Sequence, residues 1–185
     1  MYGLDFLGDD AAYFMKSSWQ IYTDVSGARQ YIGKTTMEKT FSPNIELAEF
    51  WDNSGGTQTL FVLDIDKFDF NMSFGLMQVA DPATIPIAWN MELDTSDPDY
   101  IFMFGGSAPQ ALAEAEWRCV GKSRTGLEIM LVIRRGVCVP NGDWTVGTAG
   151  DYTNLPVTIR ALQDTTITNA KRDMVYFRVQ RKALS

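Results

Sequence analysis

The stretch Thr59-Leu60-Phe61-Val62-Leu63-Asp64-Ile65-Asp66-Lys67-Phe68-Asp69-Phe70-Asn71-Met72-Ser73-Phe74 decides the fold class. Phe68, Phe70, Met72 and Phe74 alternate with Lys67, Asp69, Asn71 and Ser73. Successive side chains of a strand point to opposite faces, so a period of two sets one face against a core and the other in water. Just upstream, Phe61, Leu63 and Ile65 take one side, with Val62, Asp64 and Asp66 on the other. Strands are therefore predicted over 59–66 and 66–79.

The pattern recurs on both sides of this stretch. Residues 114–121 and 127–134 read as a hairpin around the polar loop Lys122-Ser123-Arg124-Thr125-Gly126. In its second arm Leu127, Ile129, Leu131 and Ile133 share a face. Leu155, Val157, Ile159 and Ala161 align over 155–162. Over 174–181, Val175, Phe177 and Val179 oppose Tyr176, Arg178 and Gln180. Upstream, 18–24 and 29–41 are predicted strands, parted by Ser26-Gly27.

Helix signals are short. Ser96 caps a predicted turn that runs from Asp97 through Pro98 to Phe104 and stops at Gly105-Gly106. Tyr100-Ile101-Phe102-Met103-Phe104 suits a strand equally well. Ser107-Ala108-Pro109-Gln110 has capping-box spacing. Ser42-Pro43 opens a predicted helical turn through Glu46 to Phe50. The stretch 80–91, interrupted by Pro82 and Pro86, reads as a surface loop or extended segment. The expectation is a mainly β chain, a β-sandwich or barrel with one or two short helices, in a single domain over 1–185. Open sheets of that kind leave edges to be managed, and a neighbouring copy can take them.

Composition narrows the function. The chain has 185 residues, 45% of them hydrophobic and 21% charged, the balance of a globular protein. No run of apolar residues is long enough for a spanning helix, so no membrane insertion is expected. The first ten residues carry three acids and no cation, unlike a secretory leader, so synthesis and assembly in a cytoplasm are expected. There is no histidine, which removes Ser-His-Asp and Cys-His triads and the commonest metal ligand. Cys119 and Cys138, both among apolar neighbours, read as two buried thiols.

Net charge is −7 and unevenly placed: residues 1–110 hold 16 acidic and 5 basic side chains, residues 111–185 hold 7 and 11. That split suits two surfaces of opposite sign. An acidic chain is a poor grip for nucleic acid, so Lys171-Arg172 and Arg181-Lys182 read as a solvated or interface surface.

Chemistry-bearing motifs are sparse. Asp64, Asp66 and Asp69 are close on predicted strands but lack calcium-loop spacing. Asp94, Asp97 and Asp99 flank the Ser96 turn, where carboxylates satisfy end amides; as a glycosidase pair they have nothing to set their environments apart. Gly55-Gly56 and Gly105-Gly106 match no phosphate loop, and Asn141-Gly142 is a turn. No cofactor is expected. Of the five tryptophans (Trp19, Trp51, Trp89, Trp117, Trp144), core filling accounts for most and subunit contacts for others. An exposed one would suit a carbohydrate-binding module.

One longer pattern carries a resemblance. Thr36-Met37-Glu38-Lys39-Thr40-Phe41-Ser42-Pro43-Asn44-Ile45-Glu46-Leu47-Ala48-Glu49-Phe50-Trp51-Asp52 leads into Ser54-Gly55-Gly56 and two long strands. Gly105-Gly106 follows a short apolar segment. Then come a Trp117 strand, a Gly126 turn, Arg134-Arg135-Gly136, and Asp151-Tyr152-Thr153-Asn154-Leu155-Pro156-Val157-Thr158 before Ala161-Leu162-Gln163-Asp164. Over 16–181 this order resembles the tail tube proteins of long-tailed bacteriophages. The segment 80–91 has no place in the pattern.

The resemblance implies a non-enzymatic structural subunit of a virion tail, assembled in the host cytoplasm. It implies a β-sandwich with a helix, hexameric rings of identical subunits that stack, and inner strands fused into one barrel around a genome channel. An inter-strand loop at about 42–59 would reach the adjacent ring, and an N-terminal arm (1–15) and the C-terminal strand would make further contacts. Ser42, Pro43, Glu46, Glu49, Trp51, Asn53, Gly55 and Gly56 are the loop's candidates. Asp64, Asp66 and Asp69 are candidates to line the channel, where carboxylates repel passing DNA. Other tail proteins, such as the tape measure and tail terminator, are implied partners. Competing expectations are a head-to-tail joining or terminator subunit, and a carbohydrate-binding or hydrolytic β-sandwich.

Overall fold

The structure is a computed structural model that describes residues 19–24, 29–52, 59–77, 86, 91–106, 112–123, 126–143, 154–169 and 172–180. Ten strands account for most of these: β1 (Gln20–Thr23), β2 (Gln30–Tyr31), β3 (Thr35–Asp52), β4 (Thr59–Leu76), β5 (Glu92–Asp94), β6 (Phe102–Phe104), β7 (Glu114–Lys122), β8 (Glu128–Pro140), β9 (Leu155–Leu162) and β10 (Val175–Val179). The chain is mainly β, and the larger sheet curls into a half-barrel.

That sheet has the order β2-β1-β7-β8-β9-β4-β3, with β10 added to β8, and every pairing in it is antiparallel. β8 is the fork. On one edge it pairs β7. On the other, Ile129–Ile133 pair β10, and Arg135–Pro140 pair β9. The irregularity between Ala115 and Trp117 on β7 lies at the fork and adds twist there.

The core fills the concave side. Ile21, Ile32, Phe70, Met72, Phe74, Leu76, Trp117, Cys119, Leu131, Ile133, Leu155, Val157 and Ile159 are all buried. The predicted alternations therefore set the core on β4, β8 and β9. Trp117 is fully buried and its Nε1 donates to the Gly136 carbonyl at 3.1 Å, so the indole enters the core with its polar atom satisfied. Lys39 sits opposite Phe74 and turns its ammonium back to the Thr36 carbonyl at 2.7 Å. Burial lowers its pKa. Trp19 packs edge-on against Phe41, ring centroids 5.7 Å apart.

Three expectations change. The strands predicted over 59–66 and 66–79 are one continuous β4. Residues 42–50 are not a helical turn: they lie within β3, which runs unbroken from Thr35 to Asp52. The apolar period there is two, and Phe41, Pro43 and Ile45 carry on the core-side face opposite Met72, Phe70 and Phe68. β3 is an edge strand, which tolerates Pro43.

Asp97 to Phe104 is likewise no helix. The Asp97 carboxylate accepts from the amides of Asp99 (2.8 Å) and Tyr100 (3.1 Å), closing a turn, and Phe102–Phe104 then pair with Glu92–Asp94. The pull toward a strand comes from Met103, which packs with Met91 against the core. Of the remaining helix candidates, 107–110 lies outside the described residues. The predicted loop or extended segment 80–91 also lies outside them, except for Pro86, which has helical backbone, and Met91. No helix among the described residues is long and apolar enough to cross a membrane.

Candidate assembly surface

The segment expected as a contact loop is the arm of a long β-ribbon. β9 pairs β4 from Leu76 to Asn71 and no further. β3 and β4 continue as a pair to Asp52 and Thr59. Over 59–70, β4 therefore has β3 on one side and no strand among the described residues on the other. β3 has none beyond it along its whole length. Among the described residues the ribbon thus presents two open backbone edges.

Side chains follow from the register. On the core-side face, Phe70, Met72 and Phe74 are buried at the root and Phe68 is half-buried. Further out the same face carries Ile45, paired with Phe68, and Leu47, paired with Ile65. All three of Ile45, Leu47 and Ile65 are exposed, Ile65 to 64%. Phe50 and Leu60 add to the exposed apolar surface. A hydrophobic stripe that begins in the core thus leaves it and runs out along the ribbon uncovered.

The opposite face is polar. Ser42, Asn71 and Arg160 sit side by side across β3, β4 and β9, and Thr40, Ser73 and Thr158 form the neighbouring row. The Ser73 and Thr158 hydroxyls are 2.8 Å apart. Toward the tip, Asn44 pairs Asp69 and Glu46 pairs Lys67. Lys67 bridges both acids, at 2.7 Å to Asp69 and 3.6 Å to Glu46, and the hydrogen bond to Asp69 does most to raise its pKa. Ser42, Lys67, Asp69, Asn71, Thr158 and Arg160 help to line an open groove of about 670 Å³.

The three candidate lining acids divide. A register shift between Glu46 and Leu47 leaves Asp66 as the extra residue of a bulge. Glu46 pairs Lys67, Leu47 pairs Ile65 and Ala48 pairs Asp64. The bulge thereby brings Asp64 onto the polar face with Asp69, five positions away, where an unbroken strand would oppose them. The sequence carries the signal: apolar positions switch from odd (Phe61, Leu63, Ile65) to even (Phe68, Phe70, Met72, Phe74) across Asp66 and Lys67. Of the other candidates, Ser42, Pro43, Glu46 and Glu49 lie on β3, as does Trp51, which pairs Leu60 in register. Asn53, Gly55, Gly56 and the N-terminal arm (1–15) lie outside the described residues.

A further edge with no strand partner among the described residues belongs to β10, the C-terminal strand that the resemblance implied as a contact. It pairs β8 on one side only, leaving Phe177 and Val179 exposed. The Arg134 guanidinium lies 4.6 Å over the Tyr176 ring, and its Nε donates to the Arg172 carbonyl at 2.7 Å.

Catalytic features are thin by comparison. No group of three metal-ligating side chains gathers among the described residues. Burial pushes both thiols up, Cys119 and Cys138 each to about 12, which removes their nucleophilic character near neutral pH. Asp94 and Asp97 are engaged with turn amides. Compared with known proteins, the chain matches no family model and no curated protein.

Proposed function

We propose that this chain is a structural subunit that polymerises with copies of itself, and that it serves as the tube protein of a phage tail. The observation that carries the reading is the β3–β4 ribbon, with two open edges and an apolar stripe continuous with the core. Long, exposed, hydrophobic edges are aggregation sites in a monomer, so a chain that keeps them needs a defined occupant. A second copy is the occupant favoured by the chain itself. β3 and β10 are open edges of the same sheet, and strand addition between copies would satisfy both. Extended around a ring, such pairing closes the sheet and removes the edges.

In this reading the polar face of β3, β4 and β9 lines the channel. Among its described residues Glu46, Asp64 and Asp69 stand against Lys67 and Arg160. The lining is thus hydroxyl- and amide-rich and only weakly acidic. A surface of that kind offers DNA phosphates no dense cationic grip. The order of sequence features that resembles the tail tube family, which includes the ribbon residues and continues through Ala161-Leu162-Gln163-Asp164, also supports the assignment.

The test is negative-stain microscopy and sedimentation velocity on concentrated protein. Rings or hollow tubes are expected. Leu47→Lys combined with Ile65→Lys should abolish them while leaving the circular dichroism spectrum unchanged. A wild-type chain that stays monomeric at every concentration overturns the reading.

A further inference from the structure

β8 ends at Pro140, and the chain leaves it through Asn141-Gly142-Asp143, all three exposed. The Asn141 backbone amide donates to the Pro156 carbonyl at 2.9 Å, which pins the residue to β9 on its N-terminal side. Beyond that bond the turn is open. The Asn141 side chain and the Gly142 N–H make no hydrogen bond among the described residues. Gly142 has φ 113°, a backbone that disfavours any side chain. A methyl group there would meet Pro156 Cγ at 3.5 Å, an ordinary contact, so conformation and not space holds the glycine.

An asparagine followed by glycine is prone to deamidate. The backbone nitrogen of the following residue attacks the side-chain carbonyl carbon, and the chief obstacle is that residue's own side chain. Glycine has none. The chain has seven asparagines, and Asn141 is the one followed by Gly; the others precede Ile45, Ser54, Met72, Met91, Leu155 and Ala170. Asn44 and Asn71 are further restrained within β3 and β4, where ladder pairing fixes the backbone. Asn141 also lines the polar groove, along with Ser42, Lys67, Asp69 and Arg160.

We propose that Asn141 is a site of spontaneous deamidation, which adds a carboxylate to the polar groove. Hydroxide takes the Gly142 amide proton, and the nitrogen bonds to Asn141 Cγ. The Cγ–Nδ2 bond breaks, and Nδ2 leaves as ammonia with a proton from water. Water then opens the five-membered imide at either carbonyl, giving aspartate or isoaspartate. Nothing is oxidised or reduced. The formal charge of −7 becomes one unit more negative. The isoaspartate route puts an extra methylene into the backbone between Asn141 and Gly142. That lies on the open side of the bond to Pro156, so the added length falls in the exposed turn and β8 and β9 stay paired. The reaction needs one chain only and goes beyond the polymer reading. Where the chain lines a channel as proposed above, each conversion makes that lining more acidic.

Incubation of the folded full chain at mildly alkaline pH tests it, read by peptide mass spectrometry and anion exchange. The peptide holding Asn141 should gain one mass unit sooner than those holding Asn44, Asn71, Asn154 and Asn169. The rate should rise with pH, and the product should accept methyl groups from an isoaspartyl methyltransferase. Aged protein should move on anion exchange toward the position of Asn141→Asp, with its circular dichroism spectrum unchanged. Asn141→Gln should lose most of that shift, because glutamine must close a larger ring. A folded chain that keeps Asn141 as the amide overturns the proposal, even if urea-unfolded chain deamidates there. Faster conversion at any of the four comparison asparagines overturns it too, as does an Asn141→Gln chain that shifts as fast as wild type.

Discussion

Asn71 and Arg160 form the last rung between β4 and β9. Beyond it, toward Thr59, β4 keeps β3 as its only described partner. In an antiparallel ribbon about half of the backbone amides point away from the partner strand. Those amides of 59–70 should exchange with solvent within seconds in the monomer. Hydrogen exchange followed by mass spectrometry should show them protected about 100-fold or more once the protein polymerises, if pairing between copies supplies acceptors. Equal exchange in the two states would show that the ribbon edge stays open.

Gly136 is a packing constraint at the fork. A methyl group there would lie 3.0 Å from Ile159 Cγ2 and 3.1 Å from both Ile133 Cγ2 and Trp117 Cδ1. All three neighbours are fully buried, and Trp117 is held by its bond to the Gly136 carbonyl itself. None can give way easily, so Gly136→Ala should cost about 1–3 kcal/mol in a urea titration. Trp117→Phe, which strands that carbonyl and leaves a void, should also cost about 1–3 kcal/mol.

Both thiols should be silent in the folded protein. With each pushed up to about 12, the thiolate fraction at pH 8 is on the order of 10⁻⁴. A disulfide-exchange reagent should modify Cys119 and Cys138 only as fast as the chain unfolds, and both at once in denaturant. Fast labelling of either one in native protein would contradict the burial.

Acid should weaken the fold in a defined window. The Arg135 hydrogen bond holds the Glu114 carboxyl below its ordinary value, and hydrogen bonds from Thr166 do the same for Asp164. Groups lowered in the folded state bind fewer protons than in the unfolded one. Their contribution is whole above the ordinary values of 4.5 and 3.8 and is lost as pH falls through the folded ones. Urea midpoints should fall below about pH 4.5. Glu114→Gln should flatten that slope, with little effect at pH 7 because both partners are exposed. A slope that Glu114→Gln leaves unchanged would assign the acid response to other groups.

Much of the fold was legible in the sequence because period-two patterns are local. β9 falls on its predicted residues 155–162, β7 and β8 form the predicted hairpin, and the core faces of β4, β8 and β9 are the predicted ones. Gly126, at φ 86°, closes the β7–β8 turn that its place in the loop implied. The failures came where short-range cues competed with a distant partner. Ser42-Pro43 looks like a helix start only until β4 lies alongside it. Asp97 to Phe104 carries helix punctuation, but Met103 gains more by packing on the core from a strand. Periodicity alone does not mark β10 as exposed, since Phe177 and Val179 alternate just as buried residues do; only the resemblance pointed to the C-terminal strand as a contact.

The sequence by itself determined which residues alternate, and so that this is a β protein and which faces of β4, β8 and β9 enter its core. The sequence carried the switch in alternation across Asp66 and Lys67, but only the tertiary structure decided that one strand runs through it with Asp66 as the bulged residue, that Asp64 and Asp69 therefore share a face, and that β8 divides its edge between β9 and β10. The reason is physical: alternation is written in neighbouring residues, whereas register and free edges depend on which strands meet from far along the chain.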